Sequence, residues 1–248
     1  MEKLAAGIGQ IRNRLRFAPV AHSASCCALC NDTGIKVTTD ANGRTVASPC
    51  PVCDAIGRAR ERRQYEAARI PRIPPNVNIT DVSKQYVDNF KRLPQGANWI
   101  LFSGRAGSGK TTNASWIASE IIARYHKPVR FYSAYELTRR LATSKRHEDR
   151  DALIEEVTTT PFIVLDDFLK VFPRPSSFQY NDFFEATLEI LWGRYDARMP
   201  LCITTQRDFR SIAEFDAALA GRIVETCSGR IVNFGENSTN WRLVNDKG

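Results

Sequence analysis

At 248 residues, with 43% apolar and 25% charged side chains, the chain has room for one full α/β domain and one small additional module. No apolar stretch approaches membrane-spanning length and no secretory apolar core follows the first residues, so the composition argues for a cytoplasmic protein without a membrane helix. The net charge of +8 is uneven: residues 1–75 carry 12 Lys/Arg against 6 Asp/Glu, and residues 76–248 carry 23 against 21, which assigns any attraction for a polyanion mainly to the N-terminal third.

In residues 2–16, Leu4, Ile8, Ile11 and Leu15 make a narrow apolar stripe opposite Lys3, Arg12 and Arg14. That pattern predicts an amphipathic helix that docks either on a partner or on the segment that follows. Five of the seven cysteines fall between residues 26 and 53. Cys27-Ala-Leu-Cys30 and Cys50-Pro-Val-Cys53, with nineteen residues between the pairs, have the spacing of a structural zinc site, in which each short loop offers two thiolates to one tetrahedral ion. Cys26 is an alternative first ligand and His22 a more distant one. Between the pairs, Ile35–Thr39 and Arg44–Ala47 read as strands joined at Asn42-Gly43, a hairpin signal. So small a piece has no adequate core, and metal binding would supply its folding energy; two disulfides are the alternative, disfavoured in a cytosolic protein. Residues 54–69, with Arg58, Arg60, Arg62, Arg63 and Arg69, predict a solvated basic helix able to touch phosphates. Ile70-Pro71-Arg72-Ile73-Pro74-Pro75 then breaks the chain and marks a domain boundary. The expected organisation is a metal-bearing module over 1–69, a linker over 70–75 and a nucleotide-binding domain over 76–248.

Residues 104–111, Gly-Arg-Ala-Gly-Ser-Gly-Lys-Thr, fit the P-loop pattern G-x-x-x-x-G-K-[ST]. The apolar run Trp99–Phe102 leads in as a buried strand. Ala114, Ile117, Ala118, Ile121, Ile122 and Tyr125 recur afterwards at helical spacing, so a helix leads out. Gly104, Arg105, Ala106, Gly107, Ser108 and Gly109 can wrap a triphosphate with backbone N–H groups, and Lys110, Thr111 and Thr112 open the helix whose dipole favours the anion. Lys110 reaches the β/γ phosphates and Thr111 offers its hydroxyl to Mg²⁺.

After Pro128, Val129–Tyr132 reads as the next strand. Residues 137–157 place Leu137, Leu141, Leu153, Ile154 and Val157 around a polar stretch in which Arg139, Arg140, Lys145, Arg146 and Arg150 are interleaved with five acids. Arg139, Arg140, Lys145 and Arg146 are single-strand DNA candidates there, with a solvated helical face as the alternative. Phe162–Leu165 ends in Asp166-Asp167, a Walker-B pattern in which the first carboxylate holds Mg²⁺ and the second orients the attacking water. In Asp182–Tyr195 the expected apolar face is Phe184, Leu188, Leu191 and Trp192. Pro200–Gln206 and Gly229–Phe234 complete five strands. Cys202 and Cys227 read as buried small apolar residues. Alternating strands and helices imply an α/β fold with a parallel sheet covered on both faces and the site at the carboxyl ends of its strands.

The order of these parts resembles the helicase loaders of the DnaC/DnaI type and the related IstB ATPases. Tyr132–Leu137, Leu165–Phe168, Arg194-Tyr195 before Pro200, Ile203–Gln206, Gly221-Arg222-Ile223, and Ile231–Phe234 followed by Asn240-Trp241-Arg242 are similar to the corresponding loader segments, and the Cys-rich module resembles that of the DnaI branch. The resemblance implies an AAA+ ATPase of the initiator/loader clade with a central five-stranded parallel sheet and a truncated lid. It implies Arg222 as an arginine finger acting on a neighbouring subunit, Arg242 as the sensor-2 arginine in cis, and Gln206 at sensor 1, where many loaders carry Asn. Asp167 stands where many AAA+ proteins carry Glu, which implies slow hydrolysis.

The expected function is ATP-dependent loading: the zinc module grips a replicative DnaB-type helicase, and the ATPase binds single-stranded DNA, assembles as a ring or spiral with ATP and Mg²⁺, and releases the helicase after hydrolysis. Two other readings stay open, an IstB-like ATPase assisting a DNA transposase and a zinc-dependent DNA-binding adaptor that uses ATP only as a ligand. A small-molecule kinase fits least, because no acceptor site is apparent and Arg222 and Arg242 would be unexplained.

Overall fold

The computed structural model describes residues 27–30, 35–74, 77–144, 146–170 and 180–235, and the side chains of 53–60 lie outside that description. The chain separates into two compact units, Met1–Ala59 and Arg60–Gly248.

In the first unit, β1 (Ile35–Thr39) and β2 (Thr45–Pro49) pair antiparallel with Ile35 opposite Pro49 and Thr39 opposite Thr45. Residues 40–44 connect the two strands, and Asn42-Gly43 lies within that connection. The Asp40 carboxylate accepts from Asn42 N–H and Arg44 N–H, and Gly43 takes φ +77. An Asp side chain that bonds its own backbone two residues on makes an Asx turn of this kind. Helix α1 (Pro51–Ala68) begins immediately after Cys50. Proline at its first position costs no hydrogen bond there. Its last turn belongs to the second unit and is not wholly solvated as the arginine-rich sequence suggested: within that unit Ala68 is fully buried and the Tyr65 hydroxyl donates to Ser119 O at 2.9 Å.

The second unit is built on a parallel sheet in the order β4 (Val129–Ser133), β5 (Phe162–Phe168), β6 (Leu201–Thr205), β3 (Trp99–Gly104), β7 (Ile231–Phe234). The apolar runs alternate between two cores because strand side chains alternate between faces. Trp99, Leu101, Ile163, Leu165, Leu201 and Ile203 enter one core, with α4 (Ala134–Thr143), α5 (His147–Thr159), α6 (Tyr180–Asp196), α7 (Phe209–Phe215) and α8 (Ala217–Cys227). Ile100, Phe102, Phe162, Val164 and Cys202 enter the other, with α2 (Asp81–Asp88) and α3 (Lys110–Tyr125). Burial on both sides explains why these strands read as continuous apolar runs. Cys202 and Cys227 are both fully buried, and burial pushes the Cys202 thiol well up.

Helix boundaries follow local chemistry. Thr80, Asp208 and Asp216 cap α2, α7 and α8 by accepting from Ser83, Ser211 and Leu219 N–H. Helix α3 ends at His126 in the left-handed region (φ 51), two residues before Pro128. The expected face of α6 is corrected: its buried side is Phe183, Ala186, Thr187, Ile190, Leu191 and Arg194, whereas Phe184 and Leu188 are half-buried and Trp192 is 39% exposed. The misreading came from Arg194. Its guanidinium is fully buried, with Nη1 donating to Val157 O at 3.0 Å and Thr160 O at 2.5 Å and Nη2 to Pro200 O. It therefore satisfies carbonyls at the end of α5 and the entry to β6, and an apolarity count assigns such a residue to solvent.

Candidate nucleotide-binding site

The site forms where β3 turns into α3. Gly104, the last residue of β3, has φ +134 and lies opposite Phe234 of β7. A Cβ there would stand 2.4 Å from the Phe234 carbonyl oxygen, so only glycine lets the strand leave the sheet at this point. Gly109 caps α3 at φ +99 and no side chain caps that end. The N-terminal end of this 16-residue helix, capped by a glycine, is suited to an anion. Lys110 is 5% exposed and its Nζ donates to Arg105 O at 2.7 Å and to Ser108 Oγ at 3.4 Å, crossing the loop it belongs to. Arg105 and Ala106 are exposed at the loop tip, Gly107 is half-buried with φ +78, Ser108 is buried, and Thr112 lies half-buried in the first turn of α3.

Thr111 Oγ1 donates to Asp166 Oδ1 at 2.9 Å, which joins the start of α3 to β5. On the other side, Thr204 Oγ1 of β6 donates to the same oxygen at 2.6 Å and accepts from Asp167 N–H at 3.0 Å. Burial raises the Asp166 carboxyl above its usual range and the neighbouring Asp167 adds to this, while the Thr204 and Thr111 hydrogen bonds and Lys110 pull the other way. A divalent cation at this carboxylate would favour its ionised form.

The Asp pair does not end the strand as the sequence suggested. β5 continues to Phe168 through a bulge between Leu165 and Phe168, with Asp167 at φ +58. Bulges re-aim side chains, and here the Asp167 carboxylate meets Lys170 Nζ at 2.8 Å and Gln206 Nε2 at 3.4 Å. The sequence-predicted residues Lys110, Thr111, Asp166, Asp167 and Gln206 are therefore linked through neighbouring contacts at the carboxyl ends of β3, β5 and β6.

Arg222 lies on α8 with its guanidinium carbon 4.8 Å from the Trp192 ring centre and 4.6 Å from that of Tyr195. Arg139 pairs with Glu136 at 3.0 Å, Arg140 and Arg146 are exposed, and Arg150 pairs with Glu189. Tyr135 packs on Phe183 at 5.8 Å, and Phe131 and Tyr132 pack against the cores, so packing accounts for these aromatics. Arg242, Lys145, Cys26, His22, the segment 2–16, Asn240-Trp241 and the side chains of Cys53, Arg58 and Arg60 fall outside the described residues.

Sequence reasoning gave no role to Thr204, which bridges both acids, or to Asn113. Asn113 is fully buried: its Oδ1 accepts from Thr80 N–H at 3.0 Å and Ser83 Oγ at 2.8 Å, and its Nδ2 donates to Gly109 O at 3.0 Å. It ties the segment entering α2 to the cap of the P-loop helix. A polar residue on the buried stripe of α3 was the available signal.

In the first unit, the Sγ atoms of Cys27, Cys30 and Cys50 all lie within 4.8 Å of one another. Cys27 and Cys50 are 3.8 Å apart, far beyond a disulfide bond. A tetrahedron with Zn–S bonds of about 2.3 Å has edges of about 3.8 Å, so the three thiols fit a zinc ion. Cys30 and Cys50 are buried, and Cys30 N–H donates to Cys27 O at 3.2 Å, the tight turn of a C-x2-C loop.

Residues 100–228 match the family model described as ATPase family associated with various cellular activities (AAA). The chain belongs to this AAA ATPase family. Membership implies a P-loop domain that binds nucleotide together with a metal ion. The chain is similar to the phage-like element PBSX protein XkdC of Bacillus subtilis strain 168, 24% identical over 156 residues, which is 61% of this chain and 56% of that protein. It thus spans little more than half the length of that relative. Its fold is similar to that of DnaI (TM-score 0.50, 17% identity, 70% of this chain and 92% of that one). It is also similar to replication initiator DnaA bound to AMPPCP and single-stranded DNA (TM-score 0.53, 16% identity, 71% and 56%). No helix among the described residues is long and apolar enough to cross a membrane.

Proposed function

We propose that this AAA ATPase is a helicase loader that binds ATP and Mg²⁺, grips a replicative DnaB-type helicase through its Cys-rich module and delivers it to single-stranded DNA. The observation that carries the reading is the convergence of Thr111 and Thr204 on Asp166 beside the loop spanned by Lys110. A triphosphate supplies the bond to be cleaved, and Mg²⁺ neutralises its charge. Lys110 would leave Arg105 O for the β/γ phosphates, and Thr111 and Asp166 would hold the cation. Asp167, freed from Lys170, would orient the attacking water, with Gln206 beside it. Arg222 would complete the site of a neighbouring copy and Arg242 its own, so that turnover depends on assembly into a ring or spiral.

In this proposal residues 1–69 form the helicase-binding module, with zinc held by Cys27, Cys30, Cys50 and Cys53; residues 70–75 are a linker, and 76–248 the ATPase. Arg140 and Arg146, exposed on α4 and before α5, would follow a phosphate backbone together with Arg139 and Lys145. The likeness to DnaI and DnaA in fold and the pairing of a cysteine cluster with a AAA domain support loading over other AAA roles. Co-purification with replicative helicases, with and without ATP, tests the proposal. ATP-dependent capture of a helicase and its transfer to single-stranded DNA are expected; capture of a transposase instead would replace loading by transposition assistance.

A further inference from the structure

Arg222 lies against two aromatic side chains of α6, Trp192 and Tyr195, of which Tyr195 also packs against the core. Trp192 and Tyr195 are three residues apart on α6 and so share a face. Trp192 is 39% exposed, so its ring is reachable from solvent. Arg222 stacks on both rings, at 4.8 and 4.6 Å, and has no carboxylate or hydrogen-bond acceptor among the described residues. Its natural ion-pair partner would be Glu225, one turn along α8. That carboxylate accepts instead from the Tyr195 hydroxyl, at 3.4 and 3.3 Å to its two oxygens. A cation held over π faces is not committed to an anion, so donors at the guanidinium edge are available for a phosphate. A salt bridge would have occupied that edge.

We propose that Trp192 and Tyr195 are positioning residues that hold Arg222 extended and unpaired, ready for the triphosphate bound to a second copy of this chain. The inference rests on reading Arg222 as an arginine acting in trans, and it adds what fixes that arginine before assembly. Tyr195 has two parts to play: its ring stacks on Arg222, and its hydroxyl draws Glu225 away.

Steady-state ATPase measurements on the full chain test this, using Arg222→Ala, Trp192→Ala, Trp192→Phe and Trp192→Ala mixed with Asp167→Asn. Arg222→Ala should abolish most turnover. Trp192→Ala should lower kcat by about 10- to 100-fold with KM little changed, as misplacement of a transition-state group does, and Trp192→Phe should recover most of the loss. Excess Asp167→Asn, whose own Arg222 is intact, should restore turnover at Trp192→Ala sites, which a folding defect would not permit. Wild-type kcat in Trp192→Ala beside an inactive Arg222→Ala overturns the aromatic hold and leaves the trans arginine standing. Wild-type kcat in Arg222→Ala overturns both. Failure of Asp167→Asn to restore Trp192→Ala also overturns the positioning role.

Discussion

Thr204→Val removes one oxygen at the point where the two acids meet. The side chain is fully buried and nearly isosteric with valine, so the change leaves no cavity. What is lost is a 2.6 Å bond to the Asp166 carboxylate and a 3.0 Å bond from Asp167 N–H. A hydrogen bond to a charged group contributes about 1.5–3 kcal/mol, and an N–H left without its partner costs about 1–3 kcal/mol when buried. Some of this is recovered if water reaches the site, so a loss of about 2–4 kcal/mol in urea unfolding is expected. Thr204 also bonds the carboxylate proposed to hold the cation, and loss of such an outer partner typically weakens metal binding about 10–100-fold. The Mg²⁺ concentration giving half-maximal ATPase should rise by that factor, and Thr204→Ser should restore both values. A Thr204→Val protein as stable as wild type with an unchanged Mg²⁺ dependence would refute the account of how β6 supports the acid pair.

Gly104→Ala should destabilise the ATPase unit and weaken nucleotide binding, because its Cβ meets the Phe234 carbonyl at 2.4 Å with φ at +134; a thermal melt and fluorescent-nucleotide titration measure both effects. Cys50→Ser should lower the zinc content from about one ion per chain to near zero, read by elemental analysis of the purified protein. For Glu156, burial pushes the carboxyl up but the Arg130 hydrogen bond at 2.6 Å and the charges of Arg130 and Arg140 outweigh it and hold it below the usual range. A lowered carboxylate contributes stability above its unfolded pKa and loses it as pH falls through the folded value. Glu156→Gln should therefore cost about 0.5–1 kcal/mol at neutral pH for this half-exposed pair, with the difference from wild type vanishing on acidification.

The sheet was legible because its strands are buried on both faces: Trp99–Phe102, Phe162–Leu165 and Leu201–Thr205 are unbroken by charge, and glycine or proline stands near most of their ends. The P-loop was legible because its glycines meet a backbone requirement, visible at Gly104 and Gly109. The cysteine pairs were legible for the same reason, since the spacing itself makes the loop geometry. Residues that act through long-range hydrogen bonds were not. Thr204 reaches Asp166 across 38 positions and Asn113 reaches Ser83 across 30; nothing local distinguishes Thr204 from an ordinary polar residue, and Asn113 shows only as a polar position on the buried stripe of α3. Arg194 misled for a related reason: its acceptors are backbone carbonyls, which every residue has, so a buried arginine without an acidic partner leaves no pairing signal in the sequence. The exposed position of Trp192 followed from the same rotation of α6, and with it the stack on Arg222.

In the proposed function Asp167 completes a hydrolytic site whose nucleotide is held by Lys110, Thr111 and Asp166. Phosphate release measured for wild type and Asp167→Asn at saturating ATP, alongside nucleotide binding by both, tests it directly. Mg²⁺-dependent release by wild type, with Asp167→Asn binding nucleotide equally well but turning over at least about 100-fold more slowly, is the predicted result. No release from wild type, or equal rates in the two proteins, would contradict it.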